Sequence, residues 1–201
     1  LAGGGGQGIL SIACVIDNAA RADGLFFKQA EVHGMAQRGG AVQSHMRLSN
    51  DAIWSDLIPK GEADMILSVE PLEALRYFEY LRPGGIVVTS STPYRNIPDY
   101  PDIDQVLEAV RKAPRSVVVD SEKLAREAGT VKAQNIVLLG AAAGSLMAWN
   151  EVMLADPRAN PGLADQAAAA AESLAAAGME GLPKAAAALE QRDLPRSARE
   201  Q

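Results

Sequence analysis

The stretch LAGGGGQGIL, Leu1 to Leu10, compresses the end of an apolar run, four consecutive glycines and the start of a helical pattern into ten residues. Downstream of it Ile9, Ile12, Ala13, Ile16 and Ala20 recur at helical spacing, with Ser11, Asn18 and Arg21 on the other side. The stretch therefore reads as a strand ending near Leu1-Ala2, a glycine turn, and a helix from about Ile9 that Gly24 stops. Gly3, Gly5 and Gly8 also satisfy the G-x-G-x-x-G spacing of dinucleotide-binding turns. Such a turn presents free N–H groups and the positive end of a helix dipole to a pyrophosphate. It also needs an acidic residue roughly 20 positions on, and Glu31 follows Gly8 by 23 residues. Two features oppose a nucleotide. Gln7 puts a polar side chain where a phosphate would lie, and Glu31 opens an unusual string rather than an ordinary loop. The alternative is a tight strand-to-helix turn that packs closely; Gly5, Gly6, Gln7 and Gly8 are its cofactor-binding candidates.

Working outward, GLFFKQ and AVQSHMRLS read as short strands, and EVHGMAQRGG between them as neither regular strand nor regular helix. ADMILSV is a compact apolar run suited to a central strand covered on both faces. Glu70-Pro71 opens a helix with proline at the permissive first position. Leu72, Leu75 and Phe78 are expected to face inward, and Pro83-Gly84-Gly85 to stop that helix before the strand IVVTSS. The loop PYRNIPDYP is too rich in proline and aromatics for a linker. Ile103, Val106, Leu107 and Val110 mark a helix, SVVVD a strand and SEKLAREAG a further capped helix. Ile136 to Trp149 falls short of the roughly 20 residues a membrane-spanning helix needs and reads as a core helix. In it Gly140 and Gly144 are spaced for close approach of another backbone. Strands alternating with helices predict an α/β domain, a three-layer α/β/α Rossmann-like architecture with a largely parallel sheet. Residues 1–201 form one domain in this reading, with a core over about 1–155. The alanine-rich region Leu163 to Leu189 supplies peripheral helices and a polar tail follows it, together about 156–201.

The functional candidates are few. EVHGMAQRGG combines Gly34, Gly39 and Gly40 for unusual backbone or close approach with His33, which titrates near neutrality, and Arg38, whose planar fork suits a carboxylate, phosphate or carbonyl. A solvent loop needs none of this, so Glu31, His33, Gly34, Met35, Gln37, Arg38, Gly39 and Gly40 are taken as facing an active site or a partner subunit. Two histidines, one cysteine and no ligand spacing leave no metal site. No G-x-S-x-G occurs, and Glu70 and Glu73 are accounted for by helix capping and the helix dipole. No catalytic constellation is assigned to this chain.

Composition narrows the classes further. Over 201 residues the chain is 48% hydrophobic and 22% charged, with a net charge of −6 and no long basic run. Neither nucleic acid nor an anionic membrane surface is an expected partner. Cys14, expected on the apolar side of the first helix as a buried inert thiol, cannot alone hold an iron–sulfur cluster. The single cysteine and the lack of a signal-peptide pattern point to the cytoplasm.

GGGGQGIL, EVHGMAQRGGAVQSH, SDLIPKGEADMILSVEPLEALRY, LRPGG, NIPDYP and VKAQNIVLLGAA occur in this order from Gly3 to about Ala143. In them the chain resembles the beta subunit of indolepyruvate:ferredoxin oxidoreductase, within the gamma-domain family of pyruvate and other 2-oxoacid:ferredoxin oxidoreductases. The resemblance implies a subunit of an enzyme that oxidatively decarboxylates a 2-oxoacid to an acyl-CoA and passes the electrons to ferredoxin. It implies that thiamine diphosphate, Mg and [4Fe-4S] clusters sit on a large alpha subunit, the expected partner, with CoA and the 2-oxoacid as substrates of the complex. It implies for this chain a part in assembly and in shaping the active site, with no activity of its own. Two other readings stay open: a Rossmann-type NAD(P)- or FAD-dependent oxidoreductase, on Gly3, Gly5, Gly8 and Glu31, and a non-catalytic scaffold of the same fold.

Overall fold

The structure is a computed structural model that describes the backbone of residues 1–33 and 40–155, with side chains for 1–31 and 40–148. Six strands form one sheet in the order β2-β3-β1-β4-β5-β6. They are β1 (Ala2–Gly4), β2 (Phe26–His33), β3 (Ala41–Ser49), β4 (Ala63–Ser68), β5 (Leu81–Ser90) and β6 (Arg115–Val119). β1, β4, β5 and β6 pair in parallel, while β3 is antiparallel to both β1 and β2. All strands but β3 thus run one way; the sheet is mixed, and largely parallel in direction.

Helices α1 (Ile9–Ala22), α4 (Ser121–Glu127) and α5 (Gln134–Ala155) and helices α2 (Pro71–Arg76) and α3 (Ile103–Arg111) complete the three layers. The division follows from the alternation of side chains along each strand. Leu67 of β4 and Ile86 and Val88 of β5 enter a core with Ile9, Ile12 and Ile16 of α1 and Leu138, Leu139, Ala142 and Ala143 of α5. Ile66 and Val87, one residue out of phase, meet Ala74 of α2 and Val110 of α3 on the opposite face. Burying each such side chain stabilises the fold by about 1.5–3 kcal/mol, which is why ADMILSV reads as apolar on both faces.

Four expectations need correction. Cys14 is exposed. It lies one helical turn from both Leu10 and Asn18, which are themselves exposed, while Ile12, Ala13, Ile16 and Ala20 take the inward stripe. Second, α2 ends at Arg76 and a 3-10 turn, Phe78–Tyr80, follows, so Pro83-Gly84-Gly85 does not stop it. Those three residues lie inside β5, where the register jumps from Ala63↔Leu81 to Met65↔Ile86. The extra residues bulge out there, and a bulge tolerates a proline that a regular inner strand would not. Third, Glu31, Val32 and His33 continue β2 as regular strand, paired with Ser44, Gln43 and Val42. Fourth, Gly140 and Gly144 lie exposed on α5, and among the described residues no other element stands within 4 Å of a Cβ built on either. The alanine-rich region Leu163 to Leu189 and the tail lie outside the described residues.

Candidate functional site

The chain leaves β1 through α1 toward β2 and β3 on one side, whereas β4 and its continuation into β5 and β6 lie on the other. Connections diverge at the β1/β4 pair, and a crevice opens outside the carboxyl ends of two parallel strands where that happens. A cavity of about 210 Å³ occupies this position. Gly4, Gly40 and Ala41 line one side, Glu70, Leu72, Glu73 and Arg76 a second, and Tyr94, Asn96, Ile97 and Tyr100 a third.

The glycine turn forms one rim, and its residues answer to packing. Gly5 N–H donates to the Gly40 carbonyl at 2.8 Å, and Gln7 N–H to the Gly4 carbonyl at 3.1 Å. The Gln7 side chain folds inward, its Oε1 accepting from Gly4 N–H at 2.6 Å. A Cβ on Gly4 would stand 3.0 Å from the Tyr94 ring and 3.2 Å from Gln7 Oε1. Gly8 holds a left-handed φ of 80° and a Cβ there would stand 2.5 Å from Asn135 Nδ2; that amide also donates to the Gly8 carbonyl at 3.3 Å. Gln7 and Asn135 thus pack against the turn, and the N–H groups of Gly4, Gly5 and Gln7 are already bonded within the chain.

Glu31 does not stand where a ribose would bind. β3 lies between β1 and β2, so Glu31 is two strands, about 10 Å, from the turn's own strand. Its Oε1 accepts from Gln29 Nε2, whose amide also donates to Ser44 Oγ at 3.1 Å. Its charge is felt by Asp17 of α1, whose carboxyl is pushed up by burial first and by Glu31 second. Glu31 therefore belongs to the contact between β2 and α1. Backbone pairing places His33 opposite Val42. Gly34, Met35, Gln37, Arg38 and Gly39 lie outside the described residues. Gly40, bonded to Gly5 and lining the cavity, brings the end of that segment to the crevice.

The side chains that define the cavity are ones that sequence reasoning explained away. Ser68 Oγ accepts from Glu70 N–H at 3.2 Å and donates to the Glu70 carbonyl at 2.5 Å, turning the chain sharply out of β4. Glu70, 2% exposed, then caps α2, its Oε2 accepting from Glu73 N–H at 2.8 Å. Its other oxygen accepts from Tyr94 N–H at 3.3 Å and from the Tyr100 hydroxyl. Burial and the Glu70 carboxylate together push the Tyr100 hydroxyl far above its usual range, so it stays a donor. Glu73 is buried beside it; Oε1 pairs with Arg76 Nε at 3.0 Å and Oε2 is sealed without a hydrogen-bond partner among the described residues. Desolvation raises the Glu73 carboxyl, and Arg76 offsets part of that. Capping accounted for Glu70 from sequence, yet capping needs one oxygen. The signal for the second was PYRNIPDYP, whose Tyr94 and Tyr100 supply its donors.

Chemically the crevice can bind a small group between an aromatic wall and a charged floor. Among the described residues no three His, Cys, Asp or Glu side chains gather as a metal site. The whole sequence holds one cysteine, exposed on α1, so these residues do not fit a cluster.

Comparisons with known proteins place this geometry. The family model described as pyruvate ferredoxin/flavodoxin oxidoreductase matches residues 1–180. The indolepyruvate oxidoreductase subunit IorB of Thermococcus kodakarensis is 40% identical over 149 residues, covering 70% of this chain and 73% of that protein. The protein of the same name from Archaeoglobus fulgidus is 39% identical over 147 residues, covering 69% of this chain and 71% of its own. The crystal structure of a keto/oxoacid ferredoxin oxidoreductase gamma subunit from Geobacter sulfurreducens covers 89% of this chain and 96% of its own, with a TM-score of 0.51 at 20% identity. That last likeness concerns the fold, and it matches the mixed six-stranded sheet described above.

Proposed function

This chain belongs to the pyruvate ferredoxin/flavodoxin oxidoreductase family, and from that premise we propose that it is the small subunit of an indolepyruvate-type 2-oxoacid:ferredoxin oxidoreductase. It assembles with a larger subunit and shapes the approach to that subunit's active site in the cytoplasm. The observation that carries the reading is 40% identity to an indolepyruvate oxidoreductase subunit across most of both chains. The crevice supports it, because Gly4, Gly40 and the Glu70–Tyr100 pair form a rim at which the Glu31–Gly40 segment ends. Thiamine diphosphate with Mg on the partner would supply the carbanion chemistry of decarboxylation, and its [4Fe-4S] clusters the path to ferredoxin. This chain's own residues would hold the partner and keep water from the reacting groups, with CoA and the 2-oxoacid as substrates of the complex. His33, Gly34, Met35, Gln37, Arg38 and Gly39 are proposed to face the active site or the partner. The 1–201 chain acts as one gamma-type domain in this proposal. A nucleotide-binding oxidoreductase is disfavoured by the N–H groups of Gly4, Gly5 and Gln7, which are already bonded within the chain.

Co-expression with a large thiamine- and cluster-binding subunit tests the proposal. Ferredoxin reduction should be fastest with indolepyruvate or phenylpyruvate and slower with pyruvate and 2-oxoglutarate, and Arg38→Ala should lower turnover or assembly. Failure to co-purify, or preference for pyruvate, would overturn the assignment.

A further inference from the structure

Helix α5 is apolar on every side, yet among the described residues it is covered on only one. Of its 22 residues only Glu151 is charged. Leu138, Leu139, Ala142 and Ala143 enter the main core, where α5 lies on β4, β5 and β6 and touches α1 and α4. The other side is open. Gly140, Gly144, Met147 and Ala148 are exposed, and Val137 and Ala141 are half-buried. Of Val131–Ala148, 44% is buried. A helix that is apolar all round belongs in a buried setting, so the outer face of α5 calls for a cover.

The chain itself carries a suitable one. α5 ends at Ala155, and DPRANPG, residues 156–162, follows directly. Its prolines and glycine stop a helix, and its length suits the connections of about 2–8 residues that join antiparallel helices. Beyond it Leu163, Ala167, Ala170, Leu174 and Ala177 recur at helical spacing as far as Gly178, with Asp165 and Glu172 on the opposite side. An isolated helix of this length is marginal in water, and alanine adds propensity without bulk, so the segment needs an apolar surface to pack on. Alanine reaches only a surface that lets its backbone come close. Gly140 and Gly144 leave such a surface, since no other described element stands within 4 Å of a Cβ built on either.

We propose that Leu163–Gly178 returns antiparallel along α5 and covers its outer face. Leu174 stands eleven residues beyond Leu163, and Gly144 eleven before Ala155, so a tight return sets the larger leucine over the glycine. The same register brings Ala177 to Ala141 and Ala170 to Ala148. Small residues on both sides let the axes approach to about 8 Å, the near end of the range for packed helices. Asp165 and Glu172 then face water, and no charge is buried. Continuity selects this occupant over a second copy or another protein. A segment tethered through seven residues meets α5 at an effective concentration on the order of millimolar, which a free competitor has to exceed. The core on the other side of α5 leaves no room for lipid around it. The inference does not rest on the subunit assignment.

The test attaches a nitroxide to Glu172→Cys, on the water-facing side of the segment, in the full chain carrying Cys14→Ser. Amide signals of Gly140, Ala141 and Gly144 should broaden strongly and return when the nitroxide is reduced, while those of α3, across the sheet, stay sharp. A mixture of nitroxide-bearing unlabelled chain with isotope-labelled chain should show no broadening. Sharp α5 signals within the nitroxide-bearing chain overturn the proposal. Broadening confined to the mixture makes a second copy the occupant and overturns it as well. Leu174→Asp should abolish the broadening and weaken folding about tenfold in urea titration, whereas Glu172→Lys should unfold like the parent. Leu174→Asp that unfolds like the parent also overturns the proposal.

Discussion

The two halves of the sheet are built to different standards. In the parallel half, β4 and β5 carry Ile66, Leu67, Ile86, Val87 and Val88 buried under helices on both sides. In the hairpin half, every residue of β3 except Ser44 is half-buried, and β2 is an edge strand with Phe26 and Lys28 exposed. One half has sealed both faces inside this chain. Among the described residues the other has sealed one, against α1, and covers the second with the loop of residues 50–62. The contrast teaches where the chain's own folding energy resides, and the crevice lies along the seam between the halves.

The largest expected effect tests the sealed half. Leu138→Ala, fully buried in the main core, should lower unfolding free energy by about 2–5 kcal/mol. Met46→Ala, from the half-buried hairpin, should cost less than half as much. Urea unfolding of the free chain measures both, and equal costs would break the comparison. Next in size is the seam. Gly8→Ala forces a side chain into a left-handed φ of 80° and against Asn135, at about 1–3 kcal/mol. Gly24→Ala has a similar φ of 73° but open space around it, so it should cost about 1 kcal/mol. The difference between the two isolates the Asn135 contact.

Smaller still is Tyr100→Phe, which takes one donor from the buried Glu70 while its two backbone donors remain. It should cost about 1 kcal/mol at neutral pH, where that carboxylate loses one of its donors. The smallest effect is one of pH. The folded Glu73 carboxyl is raised by burial above its ordinary 4.5, so between 4.5 and the raised value the folded chain binds more protons than the unfolded one. Stability from this group therefore falls as pH rises through that window. Glu73→Gln should gain stability relative to the parent across it, and thermal melts from pH 4 upward would show the two curves running parallel if the assignment is wrong.

Legibility in the sequence followed the same division. Strands covered on both faces have no ambiguity of period, and ADMILSV and IVVTSS were readable as such; SVVVD, half-buried at the sheet's other edge, was readable from its run of valines. The hairpin was harder, because half-buried strands mix polar and apolar residues; GLFFKQ was seen but its continuation through Glu31, Val32 and His33 was not. Cys14 was misread because a helix stripe admits a small residue one position out of phase, and only its register with Leu10 and Asn18 decides. Gly3, Gly5 and Gly8 matched a nucleotide pattern because that pattern and close packing both need residues without Cβ. The partners that distinguish them, Tyr94 and Asn135, are 90 and 127 positions away from Gly4 and Gly8. Glu70 was read as a cap, and its second role needed a tyrosine thirty residues on.

The central claim is that this chain works only as part of a larger enzyme, and carbon dioxide release from indolepyruvate tests it most directly. The account predicts no release from the purified small chain, and release coupled to ferredoxin reduction that rises with added chain until the large subunit is saturated. Decarboxylation by the small chain alone, or turnover of the large subunit that is indifferent to its presence, would contradict it.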